Sequence, residues 1–205
     1  ILTLARKAAS VGVELFVMDD GWFGDRNHER AGLGDWSVNL DKLPNGLTGI
    51  VDQVHGLGMK FGLWIEPEMV NKDSQLYRAH PDWILHHPKH SQSHGRYQYT
   101  LDFSREEVYQ NIYDQLYKLL SEHEIDYIKW DMNRYMTEVY SLGHPIERQG
   151  EIFHRYMLNL YRLYENLTSS FPHVLYESCS RGGCRFDPGL LYYAPQTWTS
   201  DNTDA

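Results

Sequence analysis

Two acidic side chains in this sequence have the chemistry of a pair of catalytic carboxyl groups. Asp131 follows the apolar segment 126–130, and Asp201 follows the segment 196–200. Carboxyl groups about 5–5.5 Å apart act as nucleophile and acid/base in retaining glycoside hydrolases, whereas about 6.5–9.5 Å indicates inversion. A structural role also fits each residue: Asp131 can be a salt-bridged residue at a strand end, and Asp201 can form a turn. Asp204 lies nearby and could be mistaken for the catalytic residue. The pair is therefore a candidate for glycosidic bond cleavage.

Basic residues flank Asp131 in the sequence. Lys129 lies two positions before it and Arg134 lies three positions after it. Nearby cations favour the ionised form of a carboxyl group, and a nucleophilic carboxylate must be ionised. We therefore expect Lys129 and Arg134 to keep Asp131 charged.

A second acidic motif, Asp19 and Asp20 followed by Gly-Trp-Phe-Gly, suits the recognition of sugar hydroxyl groups. A carboxylate accepts two hydrogen bonds from neighbouring hydroxyls, while an aromatic face packs against the C–H side of the ring. Metal sites use similar residues, and Asp19, Glu66 and Asp131 offer the oxygen ligands that magnesium prefers. A metal-dependent lyase of the enolase kind is therefore the rival hypothesis.

Trp64, Cys179 and the turn after Cys179 are further candidates for the same site. Trp64 alternates with Glu66, so both side chains can face one pocket, although burial of Trp64 in the core fits equally well. The glycine-rich turn at Gly182 allows the backbone to approach a ligand closely. No histidine lies near Cys179 in the sequence, which disfavours a catalytic thiol.

Alternating helices and strands must position these residues. Apolar spacing predicts helices from about residues 4, 45, 104 and 152, the third with a capping box of Ser104 and Glu107. The predicted strands are 13–18, 60–65, 126–130, 173–176 and 196–200.

This order implies a parallel sheet with polar residues just past each strand's carboxyl end. The sequence therefore predicts an α/β fold of the (β/α)8 TIM barrel type, with a doubly wound open sheet as the alternative. The irregular stretch 71–102 is expected to decorate this scaffold.

The length bounds how much of a barrel the chain contains. Five strand ends in 205 residues correspond to about 40 residues per unit, whereas a full barrel has about 250 residues or more. Residues 1–205 are therefore expected to be one partial catalytic barrel domain with five to six of the eight βα units. Such an excerpt would leave sheet edges uncovered, so we expect the isolated piece to be unstable and inactive.

Composition excludes several classes of partner. The chain has 19 basic and 28 acidic residues and a formal net charge of −9, which repels nucleic acid. No apolar run reaches the roughly 18 residues of a membrane span, and two cysteines do not form a disulfide framework. We expect neither a nucleic acid nor a membrane partner, and an intracellular location.

Five motifs together resemble the melibiase-type α-galactosidases, glycoside hydrolase family thirty-six. They lie at residues 18–24, 63–70, 128–133, 177–183 and 198–205, so the resemblance covers essentially the whole chain in order. It implies a retaining exo-hydrolase of terminal α-linked galactose in melibiose, raffinose and stachyose. In this comparison Asp131 matches the nucleophile and Asp201 the acid/base.

The resemblance also implies how galactose is bound. Asp19 and Asp20 would bind the hydroxyls far from the anomeric carbon, and Trp64 would line the pocket. The remaining implied sugar contacts are Lys129, Asn133, Cys179 and Gly182, nearer the anomeric carbon, together with Arg96.

The resemblance leaves the exact activity open between hydrolysis of galactosides, an α-N-acetylgalactosaminidase and a galactosyl-transferring relative such as a raffinose synthase. A thiol at Cys179, near the sugar's second hydroxyl, leaves little room for an acetamide group, which favours plain galactose. Family likeness further implies no metal or organic cofactor, a full-length homo-oligomer, for example a tetramer, and a bacterial cytoplasmic location.

Overall fold

Five parallel strands form the central sheet of the protein. The computed structural model describes residues 1–180 and 185–199. The strands in chain order are β1 (Leu15–Met18), β2 (Lys60–Ile65), β3 (Met69–Asn71), β4 (Gln98–Thr100), β5 (Tyr127–Trp130), β6 (Leu175–Ser178) and β7 (Gln196–Thr197). The sheet has the order β1-β2-β5-β6-β7, with every pair parallel, and β3 and β4 form a separate antiparallel pair.

The register of the sheet brings the carboxyl ends of its strands to one level. Ile65 of β2 pairs with Trp130 of β5, and Trp130 pairs in turn with Ser178 of β6. Ser178 pairs with Thr197 of β7. The residues that follow these positions therefore meet at one edge of the sheet.

Helices connect the strands and bury one face against the sheet. They are α1 (Leu2–Ser10), α2 (Thr48–His55), α3 (Gln75–Ala79), α4 (Glu106–Glu122) and α5 (Ile152–Ser170), with 3-10 helices at Ile146–Glu151 and Pro188–Tyr192. Buried residues of α5 recur three or four positions apart, as a helix packed on one side requires. Its Tyr164 stacks on Trp130 of β5 with ring centroids 4.1 Å apart, which fixes the helix against the strand.

The predicted α/β class and parallel sheet are confirmed, with two local corrections. The strand expected at 173–176 is Leu175–Ser178, because its last residues pair with β5 and β7. The capping box is wrong: α4 begins at Glu106, and Ser104 Oγ donates a hydrogen bond to the buried Asp102 instead.

A buried ion pair anchors the segment after β2 to the interior. Glu68 is fully buried and its carboxylate lies 2.9 Å from Arg185 Nε. Trp130 Nε1 donates to Glu68 Oε1 at 3.1 Å, and Tyr156 donates its hydroxyl to Glu68 Oε2. Three other parts of the chain thus converge on one carboxylate.

Among residues 1–180 and 185–199, no helix is both long enough and apolar enough to span a membrane.

Candidate active site

A polar cavity of about 180 Å³ opens at the carboxyl edge of the sheet. Eight of the residues that the sequence singled out line it: Asp19, Asp20, Trp64, Arg96, Lys129, Asp131, Asn133 and Cys179. The other two, Gly182 and Asp201, lie outside the described residues. The cavity therefore gathers every described member of the predicted site.

Asp131 follows β5 and is held by three N–H donors. Trp64 Nε1 donates to Asp131 Oδ2 at 3.0 Å, and the side-chain amide of Asn133 donates to the same oxygen. The backbone N–H of Met132 donates to Oδ1 at 2.9 Å. The carboxyl group is 7% exposed, so these hydrogen bonds replace the water that an ionised carboxylate loses on burial.

Aromatic packing orients Trp64 toward Asp131. Its backbone oxygen accepts a hydrogen bond from Trp22 Nε1 at 2.9 Å, and its ring is stacked with Phe23 at a centroid distance of 6.1 Å. Trp64 is 3% exposed. Both interpretations of this residue are thus correct, because the side chain packs in the core and also presents its N–H to the cavity.

Lys129 and Arg134, which were expected to keep Asp131 charged, form their contacts with other residues. Lys129 Nζ forms an ion pair with Asp19 at 3.1 Å. Arg134 points away and donates to Thr100 Oγ1 at 2.8 Å, among other oxygens. The reason is local: Asp131 turns toward the N–H groups of its own loop and of Trp64, so neutral donors rather than cations contact it.

Asp19 and Asp20 also line the cavity, each with a basic partner. Arg26 grips Asp20 with two hydrogen bonds, from Nε to Oδ1 at 2.9 Å and from its terminal nitrogen to Oδ2 at 2.7 Å. Arg26 is itself buried and donates to the backbone oxygen of Ala31 at 3.0 Å. The Asp20 side chain is 38% exposed, so its remaining lone pairs are accessible to a ligand.

Replacing Arg26 with Lys is expected to raise KM about tenfold or more while changing kcat less, because a lysine cannot form the two parallel hydrogen bonds to the Asp20 carboxylate. Steady-state kinetics of the full-length protein measures this. Arg78→Lys is the matched control, since Arg78 forms an exposed ion pair with Asp73. An unchanged KM in Arg26→Lys would show that substrate binding by Asp20 does not depend on its hydrogen bonds from Arg26.

Three cavity residues were not among the predicted sugar contacts. They are Arg26, Glu66 and Gln98. Gln98 belongs to β4, so the stretch expected to decorate the scaffold in fact supplies one wall of the cavity. The signal available in the sequence was a glutamine within the alternating segment 97–101.

Glu66 combines complete burial with a strongly perturbed charge. Its Oε1 accepts the backbone N–H of Asn133, and its Oε2 accepts Gln98 Nε2 at 2.9 Å. Burial, followed by the charge of Asp131, raises the pKa of Glu66 to about 8. A titratable group of this kind inside a cleft is typical of functional sites.

Arg96 enters the cavity from a strained loop. Arg96 and Tyr97 have φ angles of +52° and +60°, a region that residues with side chains seldom adopt. Arg30 stacks over the Tyr97 ring at 4.2 Å and holds the loop from outside. Strain of this kind is retained where the surrounding structure enforces it.

The three acidic residues of the metal-dependent alternative, Asp19, Glu66 and Asp131, line the same cavity but have separate hydrogen-bond partners. Asp19 is paired with Lys129, whereas Glu66 bonds to Asn133 and Gln98. Within residues 1–180 and 185–199, no group of three or more His, Cys, Asp or Glu side chains is arranged to hold a metal ion.

Comparison with known proteins agrees with the motifs. The family profile described as Melibiase matches residues 1–205. The chain belongs to the melibiase family. It is 60% identical to alpha-galactosidase AgaA of Geobacillus stearothermophilus over 205 residues, and 54% identical to alpha-galactosidase 1 of Pediococcus pentosaceus over 199 residues.

Solved structures of this melibiase family share its fold. The crystal structure of the GH36 alpha-galactosidase AgaA superposes with a TM-score of 0.96 at 59% identity, covering 100% of this chain and 28% of that one. An AgaA variant in complex with raffinose gives a TM-score of 0.95 at 58% identity, covering 99% of this chain and 28% of that one. The two curated relatives are likewise covered only in part, by 28% and 27% of their length.

Proposed function

We propose that these residues form the active site of a retaining exo-α-galactosidase that releases terminal α-linked galactose from melibiose- and raffinose-type oligosaccharides. The observation that carries the proposal is the position of Asp131, held by Trp64 and Asn133 in the cavity that the acidic pair Asp19 and Asp20 also lines. The relatives' names and the AgaA complexes with raffinose and stachyose support galactose as the sugar.

The proposed reaction has two displacements at the anomeric carbon. An oxygen of ionised Asp131 attacks this carbon, the bond to the leaving oxygen breaks, and Asp201 gives that oxygen its proton. Asp201 then takes a proton from water, and the resulting hydroxide displaces Asp131 from the galactosyl ester. The two inversions give net retention, and both carboxyl groups return to their starting protonation states.

We further propose that the sugar is oriented by the predicted binding residues. Asp19 and Asp20 accept hydrogen bonds from the hydroxyls far from the anomeric carbon, with Arg96 as a further contact. Lys129, Asn133, Cys179 and Gly182 act nearer that carbon. Lys129 Nζ lies 3.1 Å from Asp19, so this cation can hold Asp19 in place and also contact a hydroxyl nearer the anomeric carbon.

A (β/α)8 barrel is the architecture that we propose for the domain to which residues 1–205 belong. Each new parallel strand adds to the same side of the sheet, in the order β1-β2-β5-β6-β7. A doubly wound sheet reverses its strand order at the ligand crevice, and the described strands show no such reversal. Ligand groups at successive strand ends are typical of the barrel.

The full-length protein tests this proposal through the anomer that it releases. A chromogenic α-galactoside is expected to be hydrolysed, with α-galactose as the first product in the NMR spectrum and no effect of EDTA. The β-galactoside and the α-N-acetylgalactosaminide are matched control substrates and are expected to react far more slowly. First release of the β-anomer would establish inversion, and loss of activity with EDTA would favour a metal-dependent enzyme.

A further inference from the structure

Among the described residues that line the cavity, Glu66 is the buried carboxyl group that the proposed reaction does not use. Its side chain is 0% exposed, and both of its oxygens accept hydrogen bonds from N–H groups. The donor to Oε1 is the backbone of Asn133, whose side-chain amide donates to Asp131. Asn133 therefore joins the two carboxyl groups.

No cation neutralises Glu66 among residues 1–180 and 185–199. The nearby bases are committed elsewhere, Lys129 to Asp19 and Arg26 to Asp20. The positive charge of Arg96 lowers the pKa of Glu66 from a distance, without forming an ion pair with it. Among the described residues that line the cavity, the remaining titratable groups are Asp131 and Cys179.

Two unneutralised charges so close together are costly in a buried site. Desolvation penalises each anion, and the charge of Asp131 repels a second one. Asp131 accepts hydrogen bonds from Trp64, Met132 and Asn133, and Glu66 is the more deeply buried of the two, at 0% exposed against 7%. The arrangement favours a charged Asp131 beside an uncharged Glu66, the direction in which its pKa of about 8 also points.

Gln98 can form a hydrogen bond with Glu66 whether the carboxyl group is ionised or neutral. Its amide nitrogen donates to Glu66 Oε2, while its own Oε1 is buried without a hydrogen-bond partner. Rotation of the amide by half a turn presents this oxygen to Oε2, where it accepts the proton of a carboxylic acid. An otherwise orphaned acceptor thus has a use when Glu66 is neutral.

We propose that Glu66 is a positioning residue, which as a neutral carboxylic acid fixes the Asn133 loop and thereby the hydrogen bond from Asn133 to Asp131. Its catalytic consequence rests on the proposed role of Asp131, but its protonation does not. The two parts are therefore tested separately.

The charge state is tested by thermal unfolding of full-length Glu66→Gln and wild type across pH. A pKa raised from 4.5 to about 8 means that the folded state holds a proton that the unfolded state has lost. Wild type therefore loses stability as pH rises through this window, and the glutamine variant does not. The midpoint difference, variant minus wild type, is expected to widen from about pH 4.5 to about pH 8 and then level off.

Glu68→Gln is the matched control, because Glu68 is equally buried two positions away but forms an ion pair with Arg185. This variant leaves a buried guanidinium without its counter-charge, so its midpoint is expected to fall across the same pH range. If Glu66→Gln also lowers the midpoint by a similar amount at pH 8, Glu66 is ionised and the proposal is overturned.

The positioning role is tested by kinetics at about pH 6.5. Glu66→Gln keeps an acceptor for the Asn133 N–H, so kcat is expected within about threefold of wild type. Glu66→Asp withdraws the carboxyl group from Asn133, so kcat is expected to fall about tenfold or more with little change in KM. Loss of more than about 100-fold in Glu66→Gln, or an unchanged kcat in Glu66→Asp, would overturn the role. An inactive wild type would instead refute the proposed function, while the unfolding test would still apply.

Discussion

Asp131→Asn in the full-length protein is expected to lower kcat on α-galactosides about 10⁴-fold or more, with galactose binding retained. An amide cannot form the galactosyl ester, which removes the covalent route. The groups proposed to contact the far hydroxyls remain, because Asp19 and Asp20 are held by their own partners, Lys129 and Arg26. Stopped assays give kcat, and titration with galactose gives the binding constant.

Asp126→Asn is the control for this substitution, since Asp126 lies just before the same strand at its opposite end and bonds to His55 at 2.8 Å. It is expected to change kcat less than about threefold. Azide added to Asp131→Gly should restore turnover by forming β-galactosyl azide, because it attacks from the vacated side. Near-normal turnover of Asp131→Asn would remove Asp131 from the nucleophile role.

Asp201→Ala is expected to affect substrates according to their leaving groups. The resemblance assigns this residue the role of proton donor to the leaving oxygen, so hydrolysis of raffinose should fall about 10²–10⁴-fold. An activated aryl galactoside departs without a proton, so formation of its galactosyl ester should be nearly unchanged. Pre-steady-state release of the aryl group separates this step from the slower hydrolysis that follows.

Asp204→Ala is the control for the neighbouring carboxylate, and it is expected to leave both substrates within about threefold of wild type. Azide should accelerate the Asp201→Ala enzyme and yield α-galactosyl azide, since it replaces the activated water. Equal losses for raffinose and the aryl substrate would contradict the acid role of Asp201.

Sequence periodicity predicted the strands that position the site well. The strand at Lys60–Ile65 was predicted with its observed bounds, and the edge that follows β5 was placed at Asp131. Both results follow from local rules, because a buried parallel strand is a continuous apolar run that ends abruptly at polar residues. The family motifs then led to eight residues that the structure brings into one cavity.

The partners within the site were beyond sequence reasoning. Arg26 reaches Asp20 through the fold of its loop, and Gln98 reaches Glu66 from β4, 32 positions along the chain. Lys129 was matched with Asp131 because they are near in sequence, whereas the side chain crosses to Asp19 on another strand end. Side-chain pairing across strand ends depends on sheet register and on desolvation, neither of which a single sequence displays.

Mass spectrometry of a trapped intermediate tests the central claim most directly. The full-length protein is incubated with a fluorinated α-galactosyl substrate that forms the galactosyl ester faster than water can cleave it, and is then digested. The account predicts one added fluorogalactosyl group on Asp131, within residues 129–134, and none in Asp131→Asn. A label on another carboxylate, or steady turnover without any label, would contradict it.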